Sequence, residues 1–155
     1  FVAGINMQEQ CFFDFSDHLL GIVPPFVSEY LYTFDKAKNK IIAAYDFTKT
    51  RAEICSLVFF TGEVNMHNQF LQNKHLCFSL KSVNNSFELT VELRLKSRDV
   101  SYNIQTSKEW ENYSISLQDF GGAESEWQIL REIKFLVYRN NIKRETIEIK
   151  DIKIV

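Results

Sequence analysis

The sequence predicts an all-β domain, built as a sandwich or a closed barrel. The first observation is a period of two. From Phe87 to Lys96, the apolar residues Phe87, Leu89, Val91, Leu93 and Leu95 alternate with Glu88, Thr90, Glu92, Arg94 and Lys96, the pattern of a half-buried strand. The second is recurrence, because about ten such segments follow one another at regular spacing. The third is the scarcity of helical period, with room for one or two turns near Glu124 to Leu130. Strands with one apolar face need a second apolar layer to cover them, and a sandwich or barrel supplies it.

The elements follow in order. QCFFDFS is a short opening strand. Glu29 to Asp35 and Lys40 to Phe47 flank the turn-like KAKN and form a hairpin. Glu53 to Phe60 is a mostly apolar strand, and His75 to Lys81 puts Leu76, Phe78 and Leu80 on one face before the turn residues Asn84 and Asn85. After Phe87 to Lys96, Ser97-Arg98-Asp99 is short enough for a hairpin turn into Val100, Tyr102 and Ile104. Trp110 to Leu117 offers Tyr113, Ile115 and Leu117, and Glu132 to Arg139 offers Ile133, Phe135 and Val137. Thr146 to Val155 carries Ile147 and Ile149, then Ile152 and Ile154, and this change of phase at Lys150-Asp151 predicts a bulge.

The composition narrows the function classes. At 155 residues the chain suits a single domain, and 45% hydrophobic with 25% charged residues is an ordinary globular balance. A formal charge of -2 and no basic stripe interleaved with aromatics argue against nucleic acid. No run of about 18 apolar residues is present, which argues against membrane insertion. The opening FVAGINMQEQ reads as a processed N-terminus, an expression remnant or the edge of an excised module. Residues 1–9 are accordingly expected to be a disordered or expression-derived tail on one module spanning 1–155. Cys11, Cys55 and Cys77 are odd in number, widely spaced and without CxxC, so buried inert thiols are expected rather than a zinc site. The Asn-x-Ser sequons at Asn84 and Asn112 need no more than chance in an Asn-rich chain.

Nothing in the spacing builds a catalytic centre. His18, His67 and His75 form neither an HxxxH pair nor a triad-like spacing. Glu88 and Glu92 share a strand face but stand roughly 13 Å apart at about 3.3 Å per residue. A retaining glycosidase needs its carboxyls about 5 Å apart. The expectation is a protein that is not an enzyme.

The second half is more specific. It runs HLCFSLKS, FELTVELRL, VSYNIQTSKEWENYSISLQDF, LREIKFLVY and ETIEIKDIKIV. This resembles the jelly-roll carbohydrate-binding modules of the galactose-binding-like sandwich group, on Leu76, Phe78, Leu80, Trp110, Tyr113, Ile115, Leu117, Phe120, Ile133, Phe135, Ile149, Asp151 and Ile152. The resemblance covers about residues 74–155. It implies a jelly-roll β-sandwich of two antiparallel sheets, a polysaccharide or oligosaccharide ligand, an extracellular or cell-surface setting, and a place within a larger multidomain protein. It further implies a structural calcium ion near the first and last strands, for which Asp14, Asp17 and Asp151 are the candidates. Where the group often has D-F-E, this chain has Asp14-Phe15-Ser16. Trp110 falls where the group has a structural Trp.

The polar strand face is the candidate ligand surface. If Phe87 to Lys96 and Val100 to Gln105 are neighbours, Glu92, Arg94, Asn103 and Gln105 lie on one sheet surface, with groups that hydrogen-bond sugar hydroxyls. Aromatic platforms come from Tyr138, which alternation puts on the outer face with Lys134 and Leu136, and from Trp127 in the small, polar segment GGAESEWQ. The ligand set is therefore Glu92, Arg94, Asn103, Gln105, Trp127 and Tyr138, with a β-glucan or hemicellulose preferred. The rival reading is a protein-interaction or adhesion sandwich centred on exposed Leu136 and Tyr138.

Overall fold

The alternation carries through into two antiparallel sheets in a computed structural model. The structure describes residues 13–14, 22–23, 30–35, 40–49, 51–65 and 74–155, with side chains described over 40–48, 51–59, 74–123 and 125–155. The strands are β1 (Phe13–Asp14), β2 (Ile22–Val23), β3 (Tyr30–Asp35), β4 (Lys40–Asp46), β5 (Ile54–Asn65), β6 (His75–Ser82), β7 (Glu88–Leu95), β8 (Asp99–Gln105), β9 (Glu111–Ser116), β10 (Ile129–Tyr138) and β11 (Arg144–Ile154). Short 3-10 turns occupy Phe47–Lys49, Leu117–Phe120 and Glu124–Gln128, the last where a turn or two of helix was expected.

The first sheet runs β3-β4-β11-β6-β9, with β1 pairing β11, and the second runs β2-β5-β10-β7-β8. Sequential neighbours β10 and β11 lie in different sheets, as do β5 and β6, and β6 and β7. This is the jelly-roll β-sandwich. The two-residue β2 was not anticipated, because a pair of residues carries no period. The bulge was: the β11–β6 register shifts between Lys150 and Lys153, and Asp151 takes a φ of 57° there.

The core is the space between the sheets. Ile41, Tyr45, Leu76, Phe78, Leu80, Ile147 and Ile149 of the first sheet face Leu57, Phe59, Leu89, Val91, Leu93, Ile133 and Phe135 of the second, all buried. Phe135 is the hinge of this packing. Its ring meets Phe78 edge-on at 5.1 Å and Phe59 at 5.8 Å. Its carbonyl accepts a hydrogen bond from the buried Tyr45 hydroxyl at 2.9 Å, which ties the sheets together and satisfies the phenol. Cys55 is a buried thiol, as expected, whereas Cys77 is half-buried on the outer face of β6, its thiol 3.6 Å from the Ser114 hydroxyl. Cys11 lies outside the described residues.

Candidate functional site

The outer face of the second sheet is built by the phase opposite to the core. The registers align its residues in rows across the strands. Ser56, Leu136, Thr90 and Asn103 form one row, and Val58, Lys134, Glu92 and Ser101 the next. Glu132, Arg94 and Asp99 form a third toward one end. Toward the other end Tyr138 pairs with Ile54, and Glu88 pairs with Gln105. Extending the β10–β7 register by two residues brings Tyr138 beside Glu88, giving a fourth row of Ile54, Tyr138, Glu88 and Gln105. All four of these are exposed, Tyr138 by 41%.

The face therefore has two ends. Glu88 and Arg94 bound it along β7, roughly 20 Å apart at about 3.3 Å per residue. The Arg94 end is an ion-pair cluster. Lys134 Nζ lies 2.8 Å from Glu92, 3.6 Å from Asp99 and 3.7 Å from Glu132, and Arg94 lies 3.2 Å from Asp99. Burial alone would lower the Lys134 pKa. The hydrogen bond to Glu92 and the charges of Glu92, Asp99 and Glu132 outweigh it and hold the ammonium above its ordinary value of 10.5. Glu92 and Arg94 are thus committed to partners within the fold.

The Tyr138 end keeps hydrogen-bonding capacity. Thr90 donates to Asn103 Oδ1 at 2.8 Å, which leaves the Asn103 amide N–H groups pointed toward no described partner. Gln105 donates through Nε2 to Ser86 Oγ at 2.9 Å, which leaves its carbonyl oxygen as an acceptor. Glu88 adds a carboxylate on an exposed edge beside it. Alternation in the sequence puts Glu88 on this polar face without singling it out as a ligand residue, and it does not single out Ile54. Their in-phase positions beside Gln105 and Tyr138 were the available signal.

Five of the six candidates, Glu92, Arg94, Asn103, Gln105 and Tyr138, do share this face, and Asn103, Gln105 and Tyr138 gather at one end. Trp127 is a correction. It is 1% exposed, donates its indole N–H to Gly121 O at 2.8 Å, and packs edge-on against Phe120 at 6.4 Å, so it closes the sandwich end instead of offering a platform. A double-glycine turn receives it, with Gly122 facing the ring. Gly121 and Gly122 have φ of 82° and 87°, a region costly for side chains, and a Cβ on Gly122 would stand 3.2 Å from the indole nitrogen. Leu136 is a second correction. It lies on the outer face but is only 3% exposed, between buried Ser56 and Thr90, so the protein-interaction reading loses its hydrophobic centre.

The metal candidates are only partly within view. The β1–β11 register sets Asp14 opposite Lys153, two residues from Asp151 in the bulge, while Asp17 lies outside the described residues. Among the described residues, no three His, Cys, Asp or Glu side chains gather as a metal-ligand group.

Comparisons with known proteins give one family model and several structures of the same fold. The model for carbohydrate binding domain 30 matches residues 35–155. The structure is similar to that of a family 11 carbohydrate-binding module from Clostridium thermocellum, solved with a β-1,3-1,4-mixed-linked tetrasaccharide. The two are 16% identical, with 87% of each chain covered and a TM-score of 0.62. It is similar to a family 30 carbohydrate-binding module at 15% identity, 75% of each chain and a TM-score of 0.56. It also resembles part of the agarase AgWH50C at 6% identity and a TM-score of 0.65, where it covers 87% of this chain but spans 24% of the agarase. No curated protein sequence matches.

Proposed function

The chain belongs to the carbohydrate-binding domain 30 family, and from that premise we propose that it binds a neutral β-glucan or hemicellulose chain, without catalysis, across the Tyr138 end of the second sheet. The observation that carries this reading is the exposed row Ile54, Tyr138, Glu88 and Gln105, with Asn103 adjoining. Tyr138 and Ile54 give an apolar surface for a sugar ring. Asn103 supplies N–H donors, and Gln105 and Glu88 supply acceptors, so a sugar hydroxyl can both give and receive a hydrogen bond there. Four strands at about 4.8 Å spacing make the row about 14 Å wide, enough for several rings of an extended chain.

Charge supports a neutral ligand. Along the paired strands β7, β8 and β10 the face holds Glu88, Glu92, Asp99 and Glu132 against Arg94 and Lys134, an excess of negative charge that repels acidic sugars. The mixed-linkage tetrasaccharide bound by the structurally similar family 11 module agrees with this preference. In this reading the module holds a parent enzyme or surface protein, outside the cell, near its polysaccharide.

The test is affinity electrophoresis and calorimetry on mixed-linkage β-glucan and xylan. Tyr138→Ala is expected to weaken binding by about tenfold or more, with an unchanged melting temperature because the ring is exposed. Full binding by that variant would refute the site. A calcium ion held near the β1–β11 junction by Asp14, Asp17 and Asp151 is part of the proposal as a stabiliser. Adding calcium should then raise Tm and a chelator should reverse the rise, whereas equal Tm values would remove the ion from the account.

A further inference from the structure

The opposite side of the molecule carries a second aromatic with a different chemistry around it. Trp110 precedes β9 and is 37% exposed. It stands in phase with Asn112 and Ser114, the outer positions of β9, and not with the inward Tyr113, Ile115 and Leu117. Two ammonium groups lie against its ring, Lys150 Nζ at 4.5 Å and Lys81 Nζ at 5.5 Å from the centroid.

The hydrogen-bonding groups of this patch are almost all donors. Lys150 stands opposite Ser79 and Lys40 on the neighbouring strands, and Ser79 stands opposite Asn112. The Ser79 hydroxyl donates to Asn112 Oδ1 at 2.5 Å, leaving the amide N–H groups. The carboxylate of Glu148 is already held by Lys40 at 2.6 Å and Lys81 at 3.2 Å. Among the residues whose side chains are described, Lys150 has no carboxylate within 4.0 Å; its contact is the Trp110 ring. Lys40, Lys81 and Lys150 outnumber Glu148 and Asp35, which the register sets opposite Lys40 at the far edge of the row, so the patch around Trp110 is cationic, whereas the Tyr138 face is anionic.

We propose that this outer face of the first sheet is a separate platform for acidic polysaccharide, in which a uronic acid ring stacks on Trp110 and its carboxylate pairs with Lys150. An indole takes the apolar face of a sugar. An ammonium without a carboxylate partner takes a charged substituent, and the flanking amide N–H groups and Lys81 accept an oxygen-rich ligand that needs donors. Charge complementarity selects the acidic sugar, just as the carboxylates of the other face select against it. The inference rests on the carbohydrate-binding reading of the chain but not on the Tyr138 row.

Affinity electrophoresis in polygalacturonate and in mixed-linkage β-glucan separates the two. Wild type should be retarded by polygalacturonate at low salt, and less so as NaCl screens the ion pair. Trp110→Ala and Lys150→Gln should each weaken that retardation by about tenfold and leave glucan binding intact, while Tyr138→Ala should do the reverse. Lys150→Gln keeps the test decisive if Trp110→Ala folds poorly. The proposal is overturned if polygalacturonate does not retard the wild type, or if neither variant changes the retardation. It is also overturned if Tyr138→Ala abolishes uronate binding, or if oligothymidylate competes as well as uronate, which would mean unspecific polyanion attraction. Loss of glucan binding alone would count against the Tyr138 site and leave this one standing.

Discussion

Trp127→Ala should destabilise the domain by about 3–5 kcal/mol, the range for removing a large buried aromatic. At this chain length that corresponds to a fall in Tm on the order of 10 °C. The indole is 1% exposed and rests on Phe120, with Val100 approaching across the glycine turn. Truncation opens a cavity at the sandwich end and leaves Gly121 O without its indole donor. The double-glycine turn then has no partner to justify its two left-handed residues. Trp127→Phe keeps much of the packing and loses the hydrogen bond, so its cost should be smaller, about 1–2 kcal/mol. Urea unfolding of the three proteins measures both steps. A stacking role for Trp127 would give the opposite result, with lost glycan binding at unchanged stability, and an unchanged midpoint for Trp127→Ala would refute the end-closing role.

That contrast marks where the sequence was legible. The strands were, because in β7, and in β10 from Glu132 onward, every inward residue of the alternation is buried and the period survives in the chain. The polar face of β7 and β8 followed from the same alternation. Trp127 did not, since its burial comes from a glycine turn folding back on Phe120 and no period runs through GGAESEWQ. Leu136 shows a second limit. Alternation separates two faces of a strand but does not say whether the second is also covered, and here the Ser56, Leu136 and Thr90 row is. Charge shows a third. Glu92 and Arg94 have the side chains for a sugar site, but Lys134 and Asp99 engage them, and those pairings depend on a register that no single strand reveals.

Glu145→Ala should be nearly as damaging as the loss of Trp127, at about 2–4 kcal/mol. Glu145 shares the phase of Ile147 and Ile149 in β11, so a carboxylate sits where an apolar residue belongs, and it is 3% exposed. It is retained there by backbone donors. Its Oε1 accepts from Asn84 N at 3.0 Å and Thr146 N at 3.1 Å, and its Oε2 accepts from Asn85 N at 3.2 Å. Hydrogen bonds to a buried charge are stronger than neutral ones, and removing the acceptor strands three N–H groups. The turn from β6 to β7 hangs from this carboxylate, and the consequences reach the proposed glycan row. Ser86, just beyond the turn, donates to Thr106 O and accepts from Gln105 Nε2, while Phe87 N donates to Thr106 Oγ1 at 2.9 Å. Glu88 follows directly. Loosening the turn therefore disturbs Glu88 and Gln105 together, from a residue in the opposite sheet. Hydrogen exchange gives a local readout: the Asn84 and Asn85 amides should lose protection in Glu145→Ala, and less so in Glu145→Gln, which keeps one carbonyl acceptor. β-Glucan affinity should fall in the same order. Retained protection at both amides in Glu145→Ala would mean that the turn is held by its own backbone, through Ser82 N to Ser107 O and Val83 N to Thr146 O, and that the carboxylate is dispensable.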